Sequence, residues 1–115
     1  MPMNSVATFV LKSPAHRLEE AGLHDATLQS VTLNWAAAEV VAVLFLVGGI
    51  RATLEFQTIT SVVLPRELPW GPSASINAAT TFPEGGYELE MQSGDKLRFG
   101  ATSWSLKIAA LPADA

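Results

Sequence analysis

The stretch from Val40 to Phe56 has the pattern of a β-hairpin. Its first half is apolar throughout, its second half alternates between apolar and polar residues, and Gly48-Gly49 lies between the halves. A two-residue turn at these glycines fixes which residues share the core face, because the length of the turn sets the pairing of the strands. The predicted core pairs are Val47 with Ile50, Phe45 with Ala52, Val43 with Leu54 and Val41 with Phe56. The same turn directs Leu44 and Leu46 to the reverse face, which we expect a second layer, a helix or another copy of the chain to cover in part.

A second hairpin is predicted around Ser93-Gly94-Asp95. A three-residue loop there places Glu90 across from Arg98 on the polar face. It also matches the apolar residues of the other face, Met91 with Leu97 and Leu89 with Phe99. The agreement of both faces favours this register.

The first residues of the chain predict a strand followed by a helix. Residues 1–12 have the composition of an edge strand or an arm. Ser13 is placed as an N-cap with Pro14 at the first helical position, and Gly22 is placed to end the helix. We therefore predict a short helix from Pro14 to Ala21.

Further strands follow from alternation. Val31, Leu33 and Trp35 alternate with polar residues, and Leu28 breaks the alternation in a way that indicates a bulge or the start of the strand. More strands are predicted at 58–64, at 73–77 and around Trp104, before a tail at 109–115. The chain is therefore predicted to be a single domain, residues 1–115, with an all-β fold. We expect mainly an antiparallel meander, arranged as a sandwich or a partly open barrel, with one short N-terminal helix.

Composition narrows the class of protein. The chain of 115 residues contains no cysteine, which excludes disulfides and thiolate chemistry and fits a reducing compartment. Seven basic and eleven acidic residues give a net charge of −4 without any basic cluster, so we expect no nucleic-acid partner and no membrane partner. The longest apolar run has eight residues, far below the roughly 20 that span a bilayer. We expect a cytoplasmic protein.

Candidate chemistry is sparse. The proline-braced loop that holds Arg66, Glu67 and Trp70 is the main binding candidate, since an aromatic ring beside charged groups is a common recognition element. We favour, over this role as a binding platform, a Trp70 ring that plugs one end of a sheet, with Arg66 and Glu67 exposed around it. The neighbouring His24 and Asp25 form the second candidate. We identify no catalytic residue, and we predict neither a metal site nor a cofactor.

Three stretches carry a resemblance: Leu23-His24-Asp25-Ala26-Thr27-Leu28, then Pro65-Arg66 with Pro69-Trp70-Gly71-Pro72-Ser73, then Glu90-Met91-Gln92-Ser93-Gly94-Asp95. With these motifs the chain resembles a family of small uncharacterised bacterial proteins, over roughly residues 23–100. The resemblance implies a bacterial, intracellular protein. It implies no activity, cofactor or catalytic residue.

Two classes of function remain. We favour a non-catalytic binding or interaction domain that self-associates as a homodimer, with Leu44 and Leu46 at the interface and a possible protein partner at the Trp70 loop. Within this class, an immunity protein that neutralises a basic toxin is an alternative based on size and acidity. The other class is a small-molecule enzyme that uses His24 and Asp25, with Arg66 in the same pocket.

Overall fold

The structure is a computed structural model that describes residues 8–66 and 74–109. The described residues form nine strands and one 3-10 helix. The strands are β1 (Thr8–Lys12), β2 (Thr27–Asn34), β3 (Glu39–Leu46), β4 (Ile50–Gln57), β5 (Ser61–Val63), β6 (Ile76–Phe82), β7 (Gly86–Met91), β8 (Lys96–Gly100) and β9 (Ser103–Ala109), and the 3-10 helix is Leu18–Ala21.

The strands form two antiparallel sheets. The first has the order β1-β9-β4-β3-β2 and the second has the order β5-β8-β7-β6. Each sheet contains a three-strand meander, β2-β3-β4 or β6-β7-β8, to which strands distant in sequence are added. The predicted all-β antiparallel fold is confirmed, and β1 is an edge strand.

The core lies between the two sheets. The ring of Phe56 on β4 stacks on the ring of Phe99 on β8 with centroids 4.4 Å apart, and it contacts Tyr87 on β7 at 5.5 Å. Both sheets contribute completely buried side chains, among them Val40, Leu44, Leu54 and Leu106 from the first and Ile76 and Leu89 from the second. Removal of these apolar groups from water is the main stabilising contribution to the fold.

The predicted register of the first hairpin is wrong by one residue. The turn contains three residues, Val47-Gly48-Gly49, so that Leu46 pairs with Ile50 and Leu44 pairs with Ala52. Both glycines have positive φ, and the N–H of Gly49 donates to the carbonyl of Leu46 at 2.9 Å. One extra turn residue exchanges the two faces of β3, because successive side chains of a strand point to opposite sides.

The second hairpin keeps its predicted faces but not its register. Leu89 pairs with Leu97, and Arg98 lies opposite Glu88 rather than Glu90. The Arg98 Nε donates to Glu88 Oε1 at 2.9 Å. The last pair of the ladder is Glu90 with Lys96, so five residues lie between the paired positions, two more than predicted. A shift by an even number of residues moves each pair along the strand without turning any side chain to the other face.

The predicted helix from Pro14 to Ala21 is wrong, since only the single 3-10 turn Leu18–Ala21 forms. Ser13 does not cap a helix because its backbone and side chain are both bonded to β9: its N–H donates to the Trp104 carbonyl, and its hydroxyl accepts from the Trp104 N–H, each at 3.1 Å. Gly22 does end the turn, with φ of 71°. Leu18 and Ala21 are the buried residues of this turn.

Within the described residues, no helix has the length and apolar character needed to cross a membrane.

Candidate functional site

The predicted Trp70 loop is only partly described. Trp70 and Glu67 lie outside the described residues. Arg66 is exposed and borders a depression whose other lining residues are Ala74 and residues 28–31 of β2. Neither His24 nor Asp25 is among the residues that line this depression.

His24 and Asp25 lie together on the surface before β2. The His24 Nδ1 is 2.6 Å from the carbonyl oxygen of Asn77, and its Nε2 is 3.5 Å from Asp25 Oδ2. The short contact to a carbonyl requires a proton on Nδ1, so in the neutral ring the Nε2 lone pair faces a carboxylate. Both side chains are more than half exposed, at 67% and 54%.

The remaining contacts of Asp25 are structural. Its Oδ1 accepts a hydrogen bond from the Gln92 side chain at 2.7 Å, and its N–H donates to the Ile76 carbonyl at 2.8 Å. Asp25 has a φ of 66°, a left-handed conformation that aspartate tolerates better than most residues. These bonds connect the loop before β2 to β6 and to the β7–β8 turn. The contacts of both side chains are those of residues that hold neighbouring segments together at the surface.

The structure places Leu44 in the core and Leu46 at its margin. Leu44 is completely buried, and Leu46 is partly buried against the core cluster. The prediction that Leu44 and Leu46 face outward is wrong because of the three-residue turn. The outward residues of β3 are Val41, Val43 and Phe45, each half-buried.

Sequence reasoning missed an apolar surface at the far end of β2. Trp35 follows β2 and is 87% exposed, the highest value among the large apolar residues identified as exposed. It borders a cleft of about 480 Å³. We call this cleft and its rim the Trp35 surface; its residues are Leu33, Trp35, Ala38, Ile59, Thr60, Ser61 and Val62.

Local hydrogen bonds hold the two sides of this cleft together. In the β2–β3 turn, Asn34 Oδ1 accepts from the Ala37 N–H at 3.1 Å. The Ala38 carbonyl then accepts from the Ile59 N–H at 2.8 Å, which ties the turn to the segment before β5. The cleft is therefore a preformed feature of the backbone.

Gly100 allows the segment before β5 to lie close to β8. The Thr60 N–H donates to the Gly100 carbonyl at 2.8 Å. A Cβ atom at Gly100 would lie 2.5 Å from Ser61 Oγ and 2.8 Å from Thr60 Oγ1, closer than real Cβ atoms approach. A side chain at position 100 would therefore require the hydroxyl groups of Thr60 and Ser61, two residues of the Trp35 surface, to move.

The Trp35 surface is free of charge. None of its seven residues is ionisable, and the thirteen residues from Ala26 to Ala38 include no charged side chain. Such a surface provides apolar contact area, and its Thr60 and Ser61 hydroxyls have no acid or base beside them among its residues. Among the described residues, no group of three or more His, Asp or Glu side chains is arranged to hold a metal ion.

Comparison of the chain with protein-family models, with curated proteins and with solved structures gives no match. The resemblance to a family of bacterial proteins therefore stays a prediction.

The sequence signal for this surface is visible in retrospect. The alternation of Val31, Leu33 and Trp35 predicted a strand with one apolar face, and β2 is that strand. The residues opposite Val31 and Leu33 on β3 are Ala42 and Val40, both completely buried, so the apolar side of β2 does face inward. Leu33 is nevertheless 40% exposed, because burial at a sheet edge depends on what the second sheet covers.

Proposed function

We propose that the protein is a non-catalytic interaction domain that self-associates through the Trp35 surface. The observation that carries the proposal is the 87% exposure of Trp35 beside an uncharged apolar cleft. Large aromatic side chains dominate the binding energy of protein interfaces, and an exposed Trp next to a preformed cleft is the usual form of such an anchor.

A second copy of the chain fits this surface because the surface offers both a protruding ring and a cleft. In a two-fold dimer the same patch meets itself, so it must be self-complementary. The ring of one copy can enter the cleft of the other, and the reverse contact follows by symmetry. The charge-free lining brings no like charges together, although each chain carries a net charge of −4.

The enzyme alternative has less support. His24 and Asp25 are adjacent, but their bonds to Asn77, Ile76 and Gln92 indicate a structural role, the attachment of the loop before β2 to β6 and to the β7–β8 turn. Arg66, the third residue of that hypothesis, borders a depression at β2 instead. The immunity-protein alternative gains no support from these contacts.

The test is the mass in solution of the wild type, of Trp35→Ser and of Val47→Ser. Val47 is the matched control, since it is 68% exposed in the turn at the opposite end of β3. We expect the wild type and Val47→Ser to have twice the 12.2 kDa of one chain. We expect Trp35→Ser to weaken the dimer by at least about 2 kcal/mol, roughly thirtyfold in Kd, because it removes the anchor.

A wild-type mass of one chain at every concentration would contradict self-association. If Trp35→Ser left the dimer intact, the interface would lie elsewhere than on the Trp35 surface.

A further inference from the structure

The outer face of the second sheet contains a depression of about 330 Å³ that the proposed function does not use. It lies over a row of paired positions that crosses all four strands of the sheet. The two central strands, β7 and β8, contribute glycines to this row, so no side chain rises from the middle of the sheet there. The pairs, from one edge to the other, are Ser61 with Gly100, Gly100 with Gly86, and Gly86 with Phe82.

The residues of this row point away from the core. Tyr87 and Phe99, the neighbours of the two glycines in sequence, are buried in the core, and successive side chains of a strand point to opposite faces. Arg98 and Glu88 lie two residues from the glycines and oppose each other across β8 and β7. They therefore share the outer face with the glycines, and Arg98 lines the depression, which we call the Arg98 depression.

A buried carboxylate holds the guanidinium group of Arg98. Glu88 is only 8% exposed, and its Oε1 accepts a hydrogen bond from Arg98 Nε at 2.9 Å. The other N–H donors of an arginine belong to its two terminal nitrogens, and the Arg98 side chain is 60% exposed, so a molecule in the depression can reach them. A guanidinium group held in this way is suited to bind a carboxylate through two parallel hydrogen bonds.

The other end of the depression is bordered by Glu84. This residue lies in the β6–β7 turn, two residues before Gly86, whereas Arg98 lies on the opposite side of the glycine row along the strands. Among the described residues, Arg98 and Glu84 are the charged residues that line the depression. An elongated molecule that lies along the strands can therefore contact a cation at one end and a carboxylate at the other.

We propose that the Arg98 depression binds a small aromatic carboxylate that carries a hydrogen-bond donor at the opposite end of its ring. The carboxylate pairs with the terminal nitrogens of Arg98, and the donor group bonds to Glu84. The ring lies on the glycine floor beside the ring of Phe82, as aromatic pairs favour. The volume of about 330 Å³ is at the lower end of the range of small-molecule sites, so it suits a single ring. This inference does not depend on self-association.

The charges of the site favour a monoanion. Glu88 offsets the charge of Arg98, and Glu84 adds a further negative charge at the rim. An anion with several charges, such as inorganic phosphate, is opposed by these carboxylates. A monoanion with a donor at its far end makes a favourable contact with both Arg98 and Glu84.

The fold does not require a glycine at position 86. A Cβ atom there would lie 3.6 Å from the ring of Phe82 and 3.7 Å from the carbonyl oxygen of Phe99, which are ordinary contact distances. Gly86 is also not among the glycines with positive φ. We therefore expect Gly86→Ala to fold normally and to place a methyl group on the floor of the depression.

The test is a titration with 4-hydroxybenzoate, followed through the backbone amide signals of Gly86 and Gly100 in nitrogen-15 NMR spectra. We expect a saturable shift of both signals with a dissociation constant of about 1 mM, as befits one ring and one ion pair. Benzoate, which lacks the donor group, should bind more weakly. Benzamide, which lacks the charge, should give no saturable shift.

Two variants examine the floor and the cation separately. Gly86→Ala and Arg98→Gln should each weaken the binding of 4-hydroxybenzoate at least about tenfold. The matched control for Arg98→Gln is Lys96→Gln, because Lys96 is exposed two residues earlier on the same face of β8 and does not line the depression. This control changes the net charge equally and should bind like the wild type. Circular dichroism during thermal unfolding verifies that every variant is folded.

The proposal would be overturned by a wild type without a saturable shift, by equal affinity for benzamide, or by Gly86→Ala that binds like the wild type. An equal loss of affinity in Lys96→Gln and Arg98→Gln would also overturn it, since the anion would then respond to general charge. Tighter binding of inorganic phosphate than of 4-hydroxybenzoate would replace the proposed ligand by a phosphate. None of these results bears on self-association, which the mass in solution tests.

Discussion

Glu19 links the 3-10 helix to the edge of the second sheet. Its Oε1 accepts a hydrogen bond from the Thr81 N–H on β6 at 3.0 Å, while Thr81 Oγ1 accepts from the Leu18 N–H at 2.9 Å. Partial burial raises the pKa of Glu19, but hydrogen bonds from the Thr81 side chain and from backbone N–H groups, together with the charge of Arg17, outweigh it and hold the pKa below its usual value. A lowered pKa means that folding favours the ionised carboxylate.

We expect the bonds of Glu19 to make stability depend on pH. Their contribution is complete above the pKa of glutamate in the unfolded chain, about 4.3, and is lost as the pH falls through the lower pKa of the folded state. Glu19→Gln should reduce the free energy of unfolding at neutral pH by about 1 kcal/mol, because the side chain is one-third exposed and solvent screens part of the interaction. The variant should also lose less stability on acidification than the wild type.

Urea unfolding between pH 7 and pH 3 measures both effects. Glu39→Gln, which neutralises an exposed carboxylate at the start of β3, controls for the change in net charge. If Glu19→Gln and Glu39→Gln responded alike at all pH values, the Thr81 bonds would have no measurable role.

The two hairpins show that the pairing of two strands depends on the length of the turn between them, which the sequence does not fix. The alternating pattern of β4 predicts its inward residues correctly, namely Ala52, Leu54 and Phe56. β3 is apolar at every position after Glu39, so its own pattern carries no parity, and its faces follow from the turn alone. An alternating strand can therefore be oriented from sequence, whereas a uniformly apolar one cannot.

The burial of β3 predicts losses of stability of different size at neighbouring positions. Leu44→Ala should reduce the free energy of unfolding by about 2 to 5 kcal/mol, because it leaves a cavity in a completely buried site. Val43→Ala, on the half-buried outer face, should cost about 1 kcal/mol or less. Chemical denaturation of the two variants measures the difference in unfolding free energy. A larger loss of stability for Val43→Ala than for Leu44→Ala would contradict the three-residue turn and support a two-residue turn.

The candidate site was less predictable than the fold. The bulge near Leu28 and the strand through Leu33 follow from the sequence, because both depend on local alternation. The exposure of Trp35 depends on how far the second sheet extends over β2, which is a tertiary property. The failed helix at Pro14 has a similar cause, since β9 competes for the groups of Ser13.

At the scale of the whole molecule, the protein combines an acidic composition with one long uncharged stretch of sequence. The net charge of −4 opposes close approach of two copies in general, and the uncharged residues from Ala26 to Ala38 provide a place where approach is not opposed. Leu33 and Trp35 lie in this uncharged stretch and line the Trp35 surface. A large exposed ring beside an uncharged cleft is the physical basis of the proposed dimer.

The most direct measurement of this account is hydrogen exchange of the Trp35 indole N–H as a function of protein concentration. The Trp35 side chain is 87% exposed in a single copy, so its indole N–H exchanges rapidly there. The account predicts that this N–H becomes protected as the concentration rises, while the amides of Val47 and Gly48 in the exposed turn after β3 do not change. Rapid exchange of the Trp35 indole N–H at every concentration would contradict the account.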